Sequence, residues 1–246
     1  MRKIGLVGGV GWRSTAEYYR LINEDVARRM GGLHSAALAL ESLDFARVRQ
    51  YADAGDEEAL VALYARAARN LEAAGAEVLA LCSNSAHARI HRVREQVHVE
   101  VIHIADPVLA AARARGYRRI GLLGTRETME RPFLKQTFAN AGLEVLVPPP
   151  EHREWLHALI FGVLEHGTQT PAHRARFLEL VARMGRAGAE AVVLGCTELP
   201  LLVGDATTAV PCLDTTRLHA SALVHAALEG PTPVKPSGIS KTCSQQ

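Results

Sequence analysis

The chain contains itself twice, and that repeat limits its possible folds more than any other feature. Lys3-Ile4-Gly5-Leu6-Val7-Gly8-Gly9 returns as Arg119-Ile120-Gly121-Leu122-Leu123-Gly124-Thr125. Further on, Ala74-Gly75-Ala76-Glu77-Val78-Leu79-Ala80-Leu81 returns as Ala187-Gly188-Ala189-Glu190-Ala191-Val192-Val193-Leu194. The offsets are 116 and 113 residues. Two blocks recurring in order at nearly one spacing mark a duplicated supersecondary unit.

Each copy reads as α/β. Strand-sized apolar runs, Ile4–Val7 and Ile120–Leu123, end in glycine and lead into a helix. In the first copy, Ser14-Thr15-Ala16-Glu17 has capping-box spacing, and the helix it opens is predicted to run to about Met30 and stop at Gly31-Gly32. A second amphipathic helix, from about Glu57 to Ala74, feeds a strand that reaches Cys82, and its counterpart starts near Pro171. Further strand runs are Ser35–Leu40, Val99–Ile104, Leu143–Val147 and Val210–Leu213. Strands alternating with helices predict two lobes with mostly parallel sheets, related by a pseudo-twofold repeat. The run at 210–213 and its helix have no evident partner in the repeat. The expected division is therefore 1–116 joined by 210–228 as the first lobe, 117–209 as the second, and a disordered tail at 230–246.

Composition excludes several classes. A net charge of +2 over 246 residues leaves no concentrated basic face for nucleic acid. No apolar run approaches the ~20 residues of a bilayer helix, and the glycine-broken N-terminus is not a signal peptide. Four cysteines are too sparse for a disulfide scaffold, which points to a reduced, cytoplasmic protein.

Ligands of open parallel sheets sit at the C-terminal ends of strands. Two polar clusters fall there, Cys82-Ser83-Asn84-Ser85-Ala86-His87 and Gly195-Cys196-Thr197-Glu198-Leu199-Pro200. The repeat sets Leu81 opposite Leu194, and therefore Ser83, not Cys82, opposite Cys196. A one-residue slip turns a strand side chain to the other face. On this reading Cys82 and Cys212 belong to the core.

These residues resemble the aspartate/glutamate racemase family of cofactor-independent amino-acid racemases, over about Ile4 to Leu228. The marks are Gly8-Gly9-x-Gly11-Trp12-x-Ser14-Thr15, Gly31-Gly32-Leu33-His34-Ser35, Leu123-Gly124-Thr125-Arg126-x-Thr128-Met129-Glu130, the two strand-end clusters, and Asp214-Thr215-Thr216. The resemblance implies two Rossmann-like lobes with the active site in the cleft between them. It further implies a homodimer, no cofactor and no metal, and a base and an acid on opposite faces of the substrate Cα. Family members usually carry a cysteine at each strand end. Here the second position is Cys196 and the first is Ser83, similar to a hydroxyl-bearing subgroup specific for L-aspartate and L-glutamate.

The implied substrate is an acidic amino acid or dicarboxylate, with aspartate or glutamate favoured. Cys196 and Ser83 would be catalytic. Val10, Asn84, Ser85 and Thr197 would hold the α-carboxylate and ammonium, and Glu198 and His219 would support Cys196. Loop N–H groups are expected to favour the Cys196 thiolate. For a distal carboxylate the family uses an arginine after the second strand and a lysine in the second lobe. Arg47, with Arg49 nearby, is the candidate for the first; the lysine position is Glu165, and a glutamine position of the hydroxyl subgroup is Ala52. Two other readings share these residues: a malonate-type decarboxylase using Cys196 alone, and a binding protein without turnover.

Overall fold

A computed structural model describes residues 1–204 and 206–229; the expected tail at 230–246 lies outside them. The first half runs β1 (Ile4–Gly8), α1 (Trp12–Met30), β2 (Leu38–Ser42), α2 (Phe45–Asp53), α3 (Glu57–Ala73), β3 (Val78–Leu81), a 3-10 turn (Ser85–Arg89), α4 (Ile90–Arg94), β4 (Glu100–Val101) and α5 (Ala105–Ala114). The second runs β5 (Arg119–Gly124), α6 (Arg126–Glu130), α7 (Pro132–Asn140), β6 (Glu144–Leu146), α8 (Pro150–Leu159), a π turn (Ile160–Leu164), α9 (Pro171–Arg186), β7 (Ala191–Gly195), α10 (Pro200–Val203), β8 (Cys212–Asp214) and α11 (Thr215–Glu229). Each half builds a four-stranded parallel sheet, in the orders β2-β1-β3-β4 and β6-β5-β7-β8.

The ladders reproduce the sequence repeat. Val7 pairs with Leu81 in the first sheet and Leu123 pairs with Leu194 in the second, the same two offsets read from the chain. Side chains then alternate between faces, as period-2 strands require. Val7, Leu79 and Leu81 pack with α3, whereas Ile4, Leu6, Val78, Ala80 and Cys82 pack with α1. In the second sheet Leu123, Val192, Leu194 and Cys196 pack with α9, whereas Ile120, Leu122, Ala191 and Val193 lie on the opposite face.

Strand β8 corrects the expected division of the chain. It hydrogen-bonds to β7 and so belongs to the second sheet, not to the first lobe expected for residues 210–213. It also has a partner in the duplication, because β4–α5 is the equivalent strand and helix of the first half. The two terminal helices are exchanged between halves. Ile104, Ala105, Val108 and Ala112 around α5 pack into the core of the second sheet with Ile120, Phe138 and Val193. Ala220, Leu223, Val224 and Ala227 of α11 pack into the first, against Ile4, Tyr18 and Ile22. Burying a leucine or valine contributes roughly 2 kcal/mol, so each half depends on the other for part of its core.

The expected capping box at Ser14 does not form. Helix α1 starts three residues earlier, at Trp12, with Gly11 as N-cap and no side-chain cap. Tertiary contacts take the hydroxyls instead. Ser14 Oγ donates to the Cys82 carbonyl at 2.8 Å, Thr15 Oγ1 accepts from the Gly9 N–H at 2.9 Å, and Glu17 pairs with Arg20. The Gly9 turn needs its glycine. Its φ is +80°, and a Cβ there would stand 2.1 Å from the Leu43 carbonyl oxygen. A capping box does occur in the second half, where Thr170 and His173 exchange hydrogen bonds at the start of α9.

Candidate active site

The C-terminal ends of β1, β3, β5 and β7 open into one cleft between the lobes. Ser83, Asn84 and Ser85 line it from the first lobe, with Val10; Gly195, Cys196, Thr197 and Glu198 line it from the second. The repeat thus brings Ser83 and Cys196 to the same cavity. Cys82 is not part of the lining. It is 1% exposed, on the α1 face of its sheet, and burial pushes its thiol well up. Cys212 is half-buried beside Thr208.

Each strand end has its own chemistry. Cys196 Sγ donates to Glu198 Oε2 at 2.9 Å, and Thr197 Oγ1 donates to the same oxygen at 2.8 Å. Burial and the Glu198 charge push the thiol well above its ordinary value. This corrects the expectation that loop dipoles would favour a thiolate: burial, and after it the carboxylate beside the sulfur, outweigh them. Cys196 rests as a thiol with a proton acceptor already bonded. The Ser83 hydroxyl, in contrast, contacts only the Ser85 hydroxyl among the described residues, at 3.2 Å. Its carbonyl bonds His87 Nδ1 at 2.8 Å, and burial holds that imidazole well below its ordinary range, hence neutral.

Asn84 connects the lobes. Its Nδ2 donates to Thr215 Oγ1 at 3.1 Å, and that hydroxyl donates to the Leu194 carbonyl at 2.8 Å. Asn84 Oδ1 is left buried without a hydrogen-bond partner among the described residues, an acceptor suited to an ammonium.

Two expected site residues lie elsewhere. Arg47 is exposed on α2, donates to Tyr51 Oη at 3.2 Å and stacks over that ring, so it does not line the cleft. Two residues along a helix is about 200° of rotation, and Arg49, on the other side of α2, does line it. His219 does not support Cys196 either. It is fully buried on α11, between Tyr18 Oη at 2.8 Å and the Ile102 carbonyl at 3.0 Å, and burial drops it to about 3.

The cleft also holds residues that sequence reasoning missed. Arg89 is only 7% exposed; it grips both Glu57 oxygens at 2.8 and 2.7 Å and crosses the lobes to Glu127 at 3.0 Å. Arg131 of the second lobe completes the square, on Glu127 at 3.0 Å and Glu57 at 3.4 Å. The charge clusters at Glu57-Glu58 and Arg92-Val93-Arg94 were visible in sequence, but nothing local marked Arg89 as the buried member. Glu165, which the sequence marked only as the residue in place of a lysine, follows the π turn into the same cleft, where burial and Glu198 raise its carboxyl to about 7.

Two Rossmann-like lobes face each other across paired strand ends, one of which carries a thiol. The chain belongs to the Asp/Glu/hydantoin racemase family, whose model matches residues 7–223. Among solved structures it is similar to a Yersinia pestis protein with a provisional Asp/Glu racemase name, at 37% identity and a TM-score of 0.87, covering 93% of this chain and 100% of that one. An aspartate racemase homologue from Pyrococcus horikoshii is 32% identical with a TM-score of 0.80, covering 92% and 99%. A glutamate racemase from Thermus thermophilus is 28% identical over 172 residues, 67% of this chain; the match spans 60% of that relative's length. Among the described residues, no helix is long and apolar enough to cross a membrane.

Proposed function

We propose that the protein racemises an α-amino acid at Cα without a cofactor, using Cys196 and Ser83 on opposite faces of the substrate. The observation that carries this reading is the pairing at the repeat: equivalent strand ends present both side chains to one cleft, and Glu198 Oε2 accepts the Cys196 hydrogen. Cys196 passes its proton to Glu198 as the sulfur takes the Cα proton. The negative charge spreads into the substrate carboxylate, held by Thr197, Ser85 and the loop at Val10. Ser83 delivers a proton to the other face as it takes one from Ser85 through their 3.2 Å contact; solvent water entering the open cleft reprotonates Ser85 and takes the proton held by Glu198. Asn84 Oδ1 receives the substrate ammonium, whose positive charge lowers the barrier to forming a thiolate nearby. A homodimer in a reducing cytoplasm belongs to the same reading, and the relatives' names make aspartate and glutamate the first amino acids to compare.

Solvent deuterium tests it. Incubation with L- and D-amino acids in D2O, followed by NMR of Cα and chiral chromatography, should show deuterium in both enantiomers. Cys196→Ala should abolish exchange. Ser83→Ala should retain exchange on the Cys196 face and lose inversion. Absence of Cα exchange with every amino acid tried would overturn the proposal.

A further inference from the structure

Resting on the racemase reading, we infer that Glu165 fixes the substrate class: an amino acid with a single carboxylate, whose side chain carries no negative charge. Formal charge in the cleft leans negative. Two cations line it, Arg49 and Arg89, against three carboxyls, Glu127, Glu165 and Glu198. Both cations are already engaged. Arg89 commits its guanidinium to Glu57, Glu127 and the Ser85 carbonyl. Arg49 binds Asp53 at 2.7 Å and lies over the Phe161 ring at 5.2 Å. Arg13 reaches Glu165 only at its backbone carbonyl, at 3.0 Å.

Glu165 and Glu198 converge on one spot. A methyl group built on Gly11 would stand 3.2 Å from Glu165 Oε1 and 3.7 Å from Glu198 Oε1. A second substrate carboxylate entering here would meet two carboxyls, and both cations that line the cavity already hold carboxylates of the protein. Like charges at that range in a half-buried site repel strongly. Arg47, bonded to Tyr51 and outside the cavity lining, does not offset these carboxyls.

The rest of the cavity agrees. Phe45, Leu60, Ile160 and Phe161 supply an apolar wall. With its carboxyl raised to about 7 by burial and Glu198, Glu165 is part protonated at neutral pH and can both donate and accept a hydrogen bond. That combination suits an amide or hydroxyl side chain on a short apolar stem.

The test compares close isosteres. Cα deuterium exchange at pH 8 is measured at subsaturating glutamine and glutamate, and again with asparagine and aspartate, on wild type, Glu165→Gln and Glu165→Lys. The wild type should exchange the amides at least tenfold faster than the acids in kcat/KM. Glu165→Gln should narrow the ratio and Glu165→Lys should lower it at least tenfold. Faster exchange of the acids by the wild type would overturn this inference alone, as would a ratio unmoved in an active Glu165→Lys protein. Exchange with no amino acid would overturn the racemase reading, and this inference with it.

Discussion

Replacing Glu198 by glutamine separates the reactivity of Cys196 from its catalytic use. The carboxylate accepts the thiol hydrogen at 2.9 Å, so it plays two opposing parts. Its charge holds the sulfur protonated, and its basicity gives that proton somewhere to go. A unit negative charge about 4 Å from the sulfur opposes thiolate formation by about 4 kcal/mol at an effective dielectric of about 20. At 1.4 kcal/mol per tenfold, that is a factor on the order of a thousand in thiolate population, which screening from the open side of the cleft reduces about tenfold. Glu198→Gln should therefore raise the iodoacetamide alkylation rate of Cys196 at pH 8 by about a hundredfold, followed by peptide mass spectrometry with Cys82 as the inert internal control. Turnover should move the other way, falling by roughly 10²–10⁴, the usual contribution of a positioned general base. Alkylation that slows or stays constant, or turnover that rises, would refute the reasoning.

Cys82→Ala should leave turnover unchanged and cost about 1 kcal/mol of stability for trimming a buried side chain, measured by urea denaturation; a loss of activity with the fold intact would contradict the register assigned to the two strand ends. Arg89→Ala removes the buried centre of the interlobe square. Full loss of a buried partner costs about 3–5 kcal/mol, but Glu57 and Glu127 are 44% and 31% exposed and can rehydrate, so about 2 kcal/mol is expected. For a chain of this size that lowers Tm by about 4–8 °C in a calorimetric scan. Glu165 has a folded-state value of about 7, above its ordinary 4.5, so the native state binds more protons than the unfolded chain between those values. Its contribution is unfavourable above pH 7 and relaxes as pH falls toward 4.5. Glu165→Gln should accordingly raise Tm at pH 8 and leave it nearly unchanged at pH 4.5; a lower Tm for the variant at pH 8 would reverse the sign and exclude the carboxyl repulsion.

The repeat was legible because it is written in side chains that must alternate. Val7 and Leu81 face one way and Leu6 and Ala80 the other, so the two copies carry the same period-2 signature and the pairing register follows from it. The same alternation places Ser83 with Leu81 and turns Cys82 toward α1. Strand β8 was not legible in this way. It is three residues long, its equivalent β4 is two, and the choice between sheets is made by backbone hydrogen bonds that leave no mark on residue type. The Ser14 hydroxyl had the spacing of a cap, but the Cys82 carbonyl, 68 residues away in sequence, competes for it and wins. Arg47 and Arg49 could not be separated without the phase of α2, which depends on where the helix starts.

The duplication also explains why the cleft is unequal despite its symmetry. The offset of 113 residues sets Ser83, Asn84 and Ser85 against Cys196, Thr197 and Glu198, position by position. The backbone frame is shared, whereas each pair of side chains differs in acidity. On one side a thiol is bonded to a carboxylate that can take and keep its proton. On the other an alcohol is bonded to another alcohol, which can pass a proton along but not store it. Exchange of α5 and α11 between the cores, the Asn84–Thr215–Leu194 bridge and the Arg89 square tie the two frames together at three levels. On the proposed reading, a substrate in that frame meets a proton store on one face and a proton wire on the other. Racemisation must end with equal amounts of both enantiomers, so this inequality cannot change the equilibrium. It acts on the path, making solvent exchange at the Cys196 face separable from inversion.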